Sequence, residues 1–242
     1  MIVSHRHRFI FLKTRKTAGT SLEIALSKYC GPDDILTPIN YDEAARTEHS
    51  ARRAQNHEMP LSSFGAGDYL RWITRRRRPA RFTEHMTGVE IRERLGAEIW
   101  NSYFKFTIVR NPFDRMVSRY HWTMKMRPRY RETLGVADLA RFIRYRADFV
   151  NENWLIYTAG DELLTDDVVR YEHLAEDLGR ISARIGLPHN IHDDMKAINA
   201  KGSYRPKVAP RESLIGPDEE AIIGLLCRKE IEAFRYSRPA TV

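Results

Sequence analysis

The chain is poor in cysteine and in long apolar runs, and each shortage removes a class of protein. Its 242 residues hold two cysteines, Cys30 and Cys227, with no short spacing between them. A cysteine-based zinc site and a disulfide framework are thereby excluded, and two reduced thiols are expected. No stretch comes near the roughly 18 apolar residues of a membrane span, and the apolar run near the start is too short for a signal segment. A soluble, cytoplasmic protein with no integral membrane segment is therefore expected. Internal repeats and low-complexity tracts are also missing.

What the chain does have is a packable composition and a basic balance. Hydrophobic residues make up 42% and charged residues 30%, so a core is expected and global disorder is not. Lysine and arginine number 40 against 32 acidic residues, a formal charge of +8. That balance favours an anionic partner without choosing among a nucleotide, an acidic glycan, nucleic acid and a membrane surface.

The most informative stretch is FIFLKTRKTAGTSLE, residues 9–23. It reads as a short apolar strand, a basic turn with one glycine, and the opening of a helix. Helix N-terminal N–H groups lack intrahelical partners and carry partial positive charge, so an anion held there gains hydrogen bonds and dipole energy together. Lys13, Arg15 and Lys16 add charge on the approach, while Thr17, Thr20 and Ser21 add hydroxyl donors. The strand is predicted over 8–12. Its helix carries Leu22, Ala25, Leu26 and Tyr29 at helical spacing and is stopped by Gly31 and Pro32.

A variable insertion over the sheet follows at about 33–80, with room for one short helix. It ends in four arginines at 75–78, which read more readily as a solvated face or loop than as a site. Thr87 with Glu90 forms a capping box, so a helix starts there and His85 lies in the loop just ahead of it. A second strand, 103–109, runs into RNPFDRMVSRYHW. There Asn111 suits an N-cap, Pro112 the first helical position and Asp114 a capping carboxylate. Arg110 stands at that strand's carboxyl end, and Arg115, Ser118 and Arg119 share one helix face. Arg115 reads equally well as half of a structural ion pair. One or two helices are expected over 138–160, and Trp100, Trp122 and Trp154 read as core or groove walls. A third strand is predicted over 168–172, then a helix with Leu174, Leu178, Ile181 and Ile185, a polar loop, and a final helix over about 218–234. Strands alternating with helices predict an α/β fold, a parallel β-sheet flanked by helices, in a single domain over 1–242. Both basic turns then lie at the carboxyl ends of strands, where ligands bind in such sheets.

A basic turn with one glycine is a weak signal alone. A Walker A loop places lysine after its second glycine, whereas Lys16 precedes Gly19 and no glycine stands upstream. An ATP or GTP hydrolase is disfavoured. The combination of KTRKTAGTS (13–21) with RNPFDRMVSRY (110–120) is more specific. It resembles the two cofactor motifs of the sulfotransferase superfamily, and most of all the family 2 branch of heparan and chondroitin O-sulfotransferases and their bacterial relatives. The stretches HMTGVEIRERLGAEIWNSYFKFTIVRNP, VVRYEHLAEDL and EIEAFRYS extend the likeness over about 8–237, with 33–80 matched least.

The resemblance implies a P-loop-like fold shared with nucleoside-triphosphate hydrolases and sulfuryl transfer from PAPS, 3′-phosphoadenosine 5′-phosphosulfate, to an acceptor hydroxyl. Carried over by motif, Lys13, Lys16, Thr17, Ala18, Gly19, Thr20 and Ser21 would hold the 5′-phosphosulfate. Arg110 and Ser118 would hold the 3′-phosphate, and Lys201, Ser203 and Arg205 would close over the nucleotide. Lys16 is the expected partner of the leaving oxygen, and His85, standing where the family's catalytic histidine does, the expected base. No metal is expected, since lysines and arginines neutralise the phosphates. The expected acceptor is a glycan or a small hydroxylated metabolite, not a nucleic acid. The alternatives are a P-loop kinase of atypical motif and a non-enzymatic basic module that binds polyanions.

Overall fold

A computed structural model describes residues 1–40, 43–76, 78–129, 132, 138–198 and 215–237. Two apolar runs open the chain as β1 (Ile2–Ser4) and β2 (Phe9–Leu12), antiparallel, with Ile2 opposite Phe11 and Ser4 opposite Phe9. Asp34 fixes the turn between them. Its carboxylate accepts from Ser4 Oγ at 2.8 Å, from His5 N–H at 2.6 Å and from Gly31 N–H at 2.8 Å. Burial pushes the Asp34 pKa up, and these hydrogen bonds outweigh it and hold the carboxyl below its usual range.

Helix α1 (Gly19–Ser27) follows β2, and β3 (Ile35–Leu36) joins the far side of β1, antiparallel. The 33–80 segment then carries α2 (Glu43–Glu48) and α3 (Ala66–Arg75). Helix α4 (Gly88–Leu95) starts at the expected capping box. Glu90 N–H donates to Thr87 Oγ1 at 3.3 Å, and Thr87 N–H donates to the Glu90 carboxylate at 2.9 Å. A Cβ at Gly88 would fall 2.8 Å from Leu164 Cδ1 and 3.1 Å from Leu12 Cδ2, so only glycine lets α4 begin against the sheet. That close approach brings the loop carrying His85 to the end of β2.

Helix α5 (Ala97–Ser102) leads into β4 (Phe104–Val109), parallel to β2, and α6 (Pro112–Met126) leaves its far end. Helices α7 (Leu139–Tyr145) and α8 (Trp154–Tyr157) precede a small hairpin of β5 (Thr158–Ala159) and β6 (Glu162–Leu163). Strand β7 (Asp167–Arg170) pairs parallel with β4 and is followed by α9 (Leu174–Arg184) and α10 (Ile191–Ala197). Helices α11 (Pro217–Leu226) and α12 (Arg228–Phe234) divide the single helix expected over 218–234. The break at Cys227, itself fully buried, lets α12 turn Glu230 and Phe234 inward.

The sheet order is β3-β1-β2-β4-β7. The expected parallel arrangement describes β2, β4 and β7, but the sheet as a whole is mixed because β1 runs against its neighbours β2 and β3. Three-residue and two-residue strands carry too few positions for a period to be read. One sheet face is covered by α1, α9 and α10 through Leu22, Leu26, Leu178, Ile181 and Ile191. The other is covered by Ile91, Trp100, Trp154 and Tyr157. Each such aliphatic side chain contributes about 1.5–3 kcal/mol on burial, so apolar packing decides where the helices sit. The register sets Leu12 opposite Thr107 and Val109 opposite Arg170. The loops leaving β2, β4 and β7 therefore meet at one edge. No helix among the described residues is long and apolar enough to cross a membrane.

Candidate functional site

Those three loops surround a cavity of about 600 Å³, a size suited to a small ligand. Among the described residues its wall holds six basic side chains, from Lys13, Arg15, Lys16, Arg110, Arg119 and Arg127, against one carboxylate, Glu84. In a concave site such an imbalance concentrates positive potential and favours an anion.

The loop after β2 is held in an unusual shape. Lys16 has φ 62° and Ala18 φ 63°, left-handed values that cost a non-glycine residue roughly 1–2 kcal/mol. Neighbouring contacts hold it there. Buried Asn153 accepts from Arg15 N–H at 2.8 Å and donates to Arg15 C=O at 2.9 Å, and Arg110 donates to Lys16 C=O at 2.9 Å. Ala18 occupies the N-cap of α1 and has no side chain to cap it. Gly19, Thr20 and Ser21, the first turn, line the cavity. A Cβ at Gly19 would lie 3.1 Å from Lys13 Cγ, so glycine lets the helix start directly over Lys13.

Lys13 is buried, and its ammonium donates to Glu23 at 2.6 Å and to Glu84. Burial would raise the Glu23 pKa, but Lys13 and Arg46, which donates to Glu23 at 2.9 Å, hold it low. Lys13 thus joins the cavity wall to a buried ion-pair cluster. Next to it, His85 Nδ1 lies 2.9 Å from Lys13 C=O. A carbonyl only accepts, so Nδ1 carries the proton and Nε2 is the basic nitrogen. Burial, then Arg15 and Lys13, hold the His85 pKa well below its ordinary value, which keeps the ring neutral. Its Nε2 lies 3.8 Å from a Glu84 oxygen that also accepts from Asn40 at 3.1 Å.

The turn after β4 is satisfied by side chains of its own and by Glu172, whose carboxylate accepts from Asn111 N–H at 2.8 Å. Asn111 caps α6, accepting from Phe113 N–H at 3.1 Å, and Pro112 takes the first helical position. Asp114 does not cap as expected. It receives Arg110 through both Nε, at 2.6 Å, and Nη2, because the i, i+4 spacing brings the guanidinium onto it. The Arg110 guanidinium also lies 4.0 Å from the centre of the Tyr171 ring.

The structure gathers Lys13, Lys16, Ala18, Gly19, Thr20, Ser21, His85, Arg110 and Ser118 into the cavity wall. Thr17 is fully buried, and its hydroxyl meets Thr14 Oγ1 at 2.8 Å inside the loop. Arg115 is not at the cavity. Its guanidinium pairs with buried Glu230 at 2.8 Å, the structural ion pair that was one of its two readings. Lys201, Ser203 and Arg205 lie outside the described residues. Among the described residues no cluster of histidine, cysteine and carboxylates could hold a metal ion.

Trp122 lines the wall, one of its two readings, whereas Glu84, Arg119 and Tyr171 belong to the wall and were missed as site residues in the sequence. Arg119 shares its helix face with Ser118, the one signal that pointed to it. Burial lowers its pKa to about 10, and it reaches Glu152 at 3.3 Å. Arg119 Nε and Thr123 Oγ1 are buried with no partner among the described residues. Two unsatisfied donors in the wall of a basic cavity fit an anionic ligand with several oxygen acceptors.

The comparisons agree with this chemistry. Among curated proteins, an uncharacterized protein of Archaeoglobus fulgidus is 28% identical over 112 residues, 42% of this chain and 82% of that protein. Carbohydrate sulfotransferase 10 of Xenopus laevis is 26% identical over 185 residues, 68% of this chain but only 42% of that protein. No solved structure matches the chain. The model described as "Sulfotransferase family" matches residues 1–201, from β1 through the loops of β2, β4 and β7 that build the cavity, so the chain belongs to the sulfotransferase family.

Proposed function

We propose that the chain moves a sulfuryl group from PAPS to a hydroxyl of a carbohydrate acceptor. The supporting observation is one juxtaposition: a basic helix N-terminus without a side-chain cap shares a cavity with a neutral histidine. Bound there, PAPS supplies an activated sulfuryl group on a phosphate leaving group. The first-turn N–H groups of α1 with the hydroxyls of Thr20 and Ser21 would hold the 5′-phosphosulfate. Arg110 and Ser118 would hold the 3′-phosphate, and Lys201, Ser203 and Arg205 would cover the nucleotide. Lys16 would stabilise charge growing on the leaving oxygen, which favours the transition state over the ground state. Sulfuryl transfer resembles phosphoryl transfer in drawing most of its catalysis from such positioning and charge.

His85 has the form a general base needs. With Nδ1–H held by Lys13 C=O, Nε2 takes the acceptor hydroxyl proton during attack. The imidazolium so formed stands 3.8 Å from Glu84, whose charge stabilises it. The test mixes purified protein with PAPS and candidate glycans and follows release of adenosine 3′,5′-bisphosphate. Turnover is expected in the wild type and none in His85→Ala, which should still bind the bisphosphate. Failure of the wild type to bind that nucleotide would sink the proposal.

A further inference from the structure

Helix α3 stands apart from the rest of the molecule: none of its residues is buried. It sits in an excursion closed at its neck, where Met59 N–H donates to Pro79 C=O at 2.9 Å and Arg81 N–H donates to His57 C=O at 2.8 Å. Inside the excursion Phe64 meets Tyr69 and Trp72 edge-on, with ring centres 5.2 and 6.1 Å apart. Those rings give α3 a local support, yet its apolar stripe is left in water. Ala66, Leu70 and Ile73 fall at i, i+4 and i+7, with Tyr69 beside them. Ile73 is 71% exposed, Leu70 63% and Tyr69 44%. Leu61, at the start of the excursion, is 40% exposed. Arg71 and Arg75 occupy the opposite face, and Arg76 and Arg78 follow at the C-terminal end. Asp68, the sole acid between 61 and 80, is engaged with Gly65 N–H at 3.1 Å.

We propose that α3 is an interfacial helix that holds the protein on an anionic lipid surface. A bilayer surface meets both faces of this element at once. Acyl chains at the headgroup boundary would receive Leu70, Ile73 and Tyr69, while anionic headgroups would receive the arginines of the polar face and of the C-terminal end. An acidic polysaccharide would neutralise the arginines and leave the leucine and isoleucine in water. A purely apolar groove would have to desolvate the arginines without compensation. Binding is reversible and peripheral, and it is independent of the cavity and of the reaction proposed for it.

The test sediments the full-length protein with vesicles of phosphatidylcholine alone, or containing 30 mol% phosphatidylglycerol as a ~0.3 mole-fraction probe of anionic charge. Partition onto the anionic vesicles is expected to exceed that onto the neutral ones by tenfold or more and to weaken with salt, as roughly fivefold per arginine implies. Leu70→Gln with Ile73→Gln should lower it about tenfold, and Arg75→Gln with Arg76→Gln about twentyfold. Because no α3 residue is buried, both double variants should keep the thermal midpoint of the wild type. Equal partition onto both vesicle types would overturn the proposal, and so would a Leu70/Ile73 variant that binds as well as the wild type. Retention on dextran sulfate or an acidic peptide, without vesicle binding, would overturn it too and assign the arginines to that partner.

Discussion

The turns after β2 and β4 begin alike, as a strand, a basic turn and a helix, and they solve the same backbone problem in opposite ways. After β4, the Asn111 cap, Pro112, the Arg110–Asp114 pair and Glu172, which accepts from Asn111 N–H, satisfy the turn with protein groups. After β2, alanine stands at the N-cap with no side chain to cap, two non-glycine residues take left-handed backbone, and the first turn of α1 lines the cavity. Under the proposed function, the turn after β4 serves stability and the open turn after β2 serves binding. The difference also divides the work on an anion: the first turn can offer backbone N–H groups, the second only side chains such as Arg110, Ser118 and Arg119.

The strongest way to break this comparison is Lys16→Ala. If the open turn carries the chemistry, turnover should fall about 10³-fold, or about 4 kcal/mol of transition-state stabilisation, with melting unchanged. An unaltered rate would remove the open turn from the reaction. Next comes a contrast within α6. Arg115→Ala leaves Glu230 buried without its countercharge, with the Tyr157 hydroxyl still donating to it, so it should cost about 3–5 kcal/mol in denaturant unfolding. Arg119→Ala, four residues on, should instead weaken nucleotide binding about tenfold, as loss of a charged hydrogen bond does.

The pH profile sharpens the role of His85. As the proposed base its active form is the neutral ring, present above its pKa, and that pKa lies well below 6.5 because of burial and then Arg15 and Lys13. The rate should therefore hold as pH falls to about 6.5 and drop only at lower pH, with this limb missing in His85→Gln. The linkage has the same sign. Below about 6.5 the unfolded chain takes up a proton that the folded chain refuses, so stability declines as pH falls through that range, and less so in the variant. The smallest effect is expected for Asn111→Ala, which should cost about 1 kcal/mol in unfolding and leave the rate near wild type.

The legible parts of the fold were those with local chemistry. The apolar runs of β2 and β4, the Thr87–Glu90 box and the Asn111-Pro112 start could all be read because each signal lies within a few residues. Strand β1 could not, since its pairing depends on Asp34, thirty residues away, tying down the turn. The same limit applies at the site. The place of His85 and Lys16 in the cavity wall could be expected from their position in motifs, whereas nothing local marks Glu84, on which Lys13 and Asn40 converge. Asn153 clamps Arg15 across more than a hundred residues, and no pattern near it hints at that contact.

The most direct measurement titrates the protein, without magnesium, with adenosine 3′,5′-bisphosphate and with ADP, and follows heat. Two phosphate positions, one at the open turn of β2 and one along α6, should make the bisphosphate bind at least about 30-fold tighter, as 2 kcal/mol from a charged phosphate contact implies. Equal affinity for the two nucleotides, or binding of neither, would contradict the division of labour between the turns.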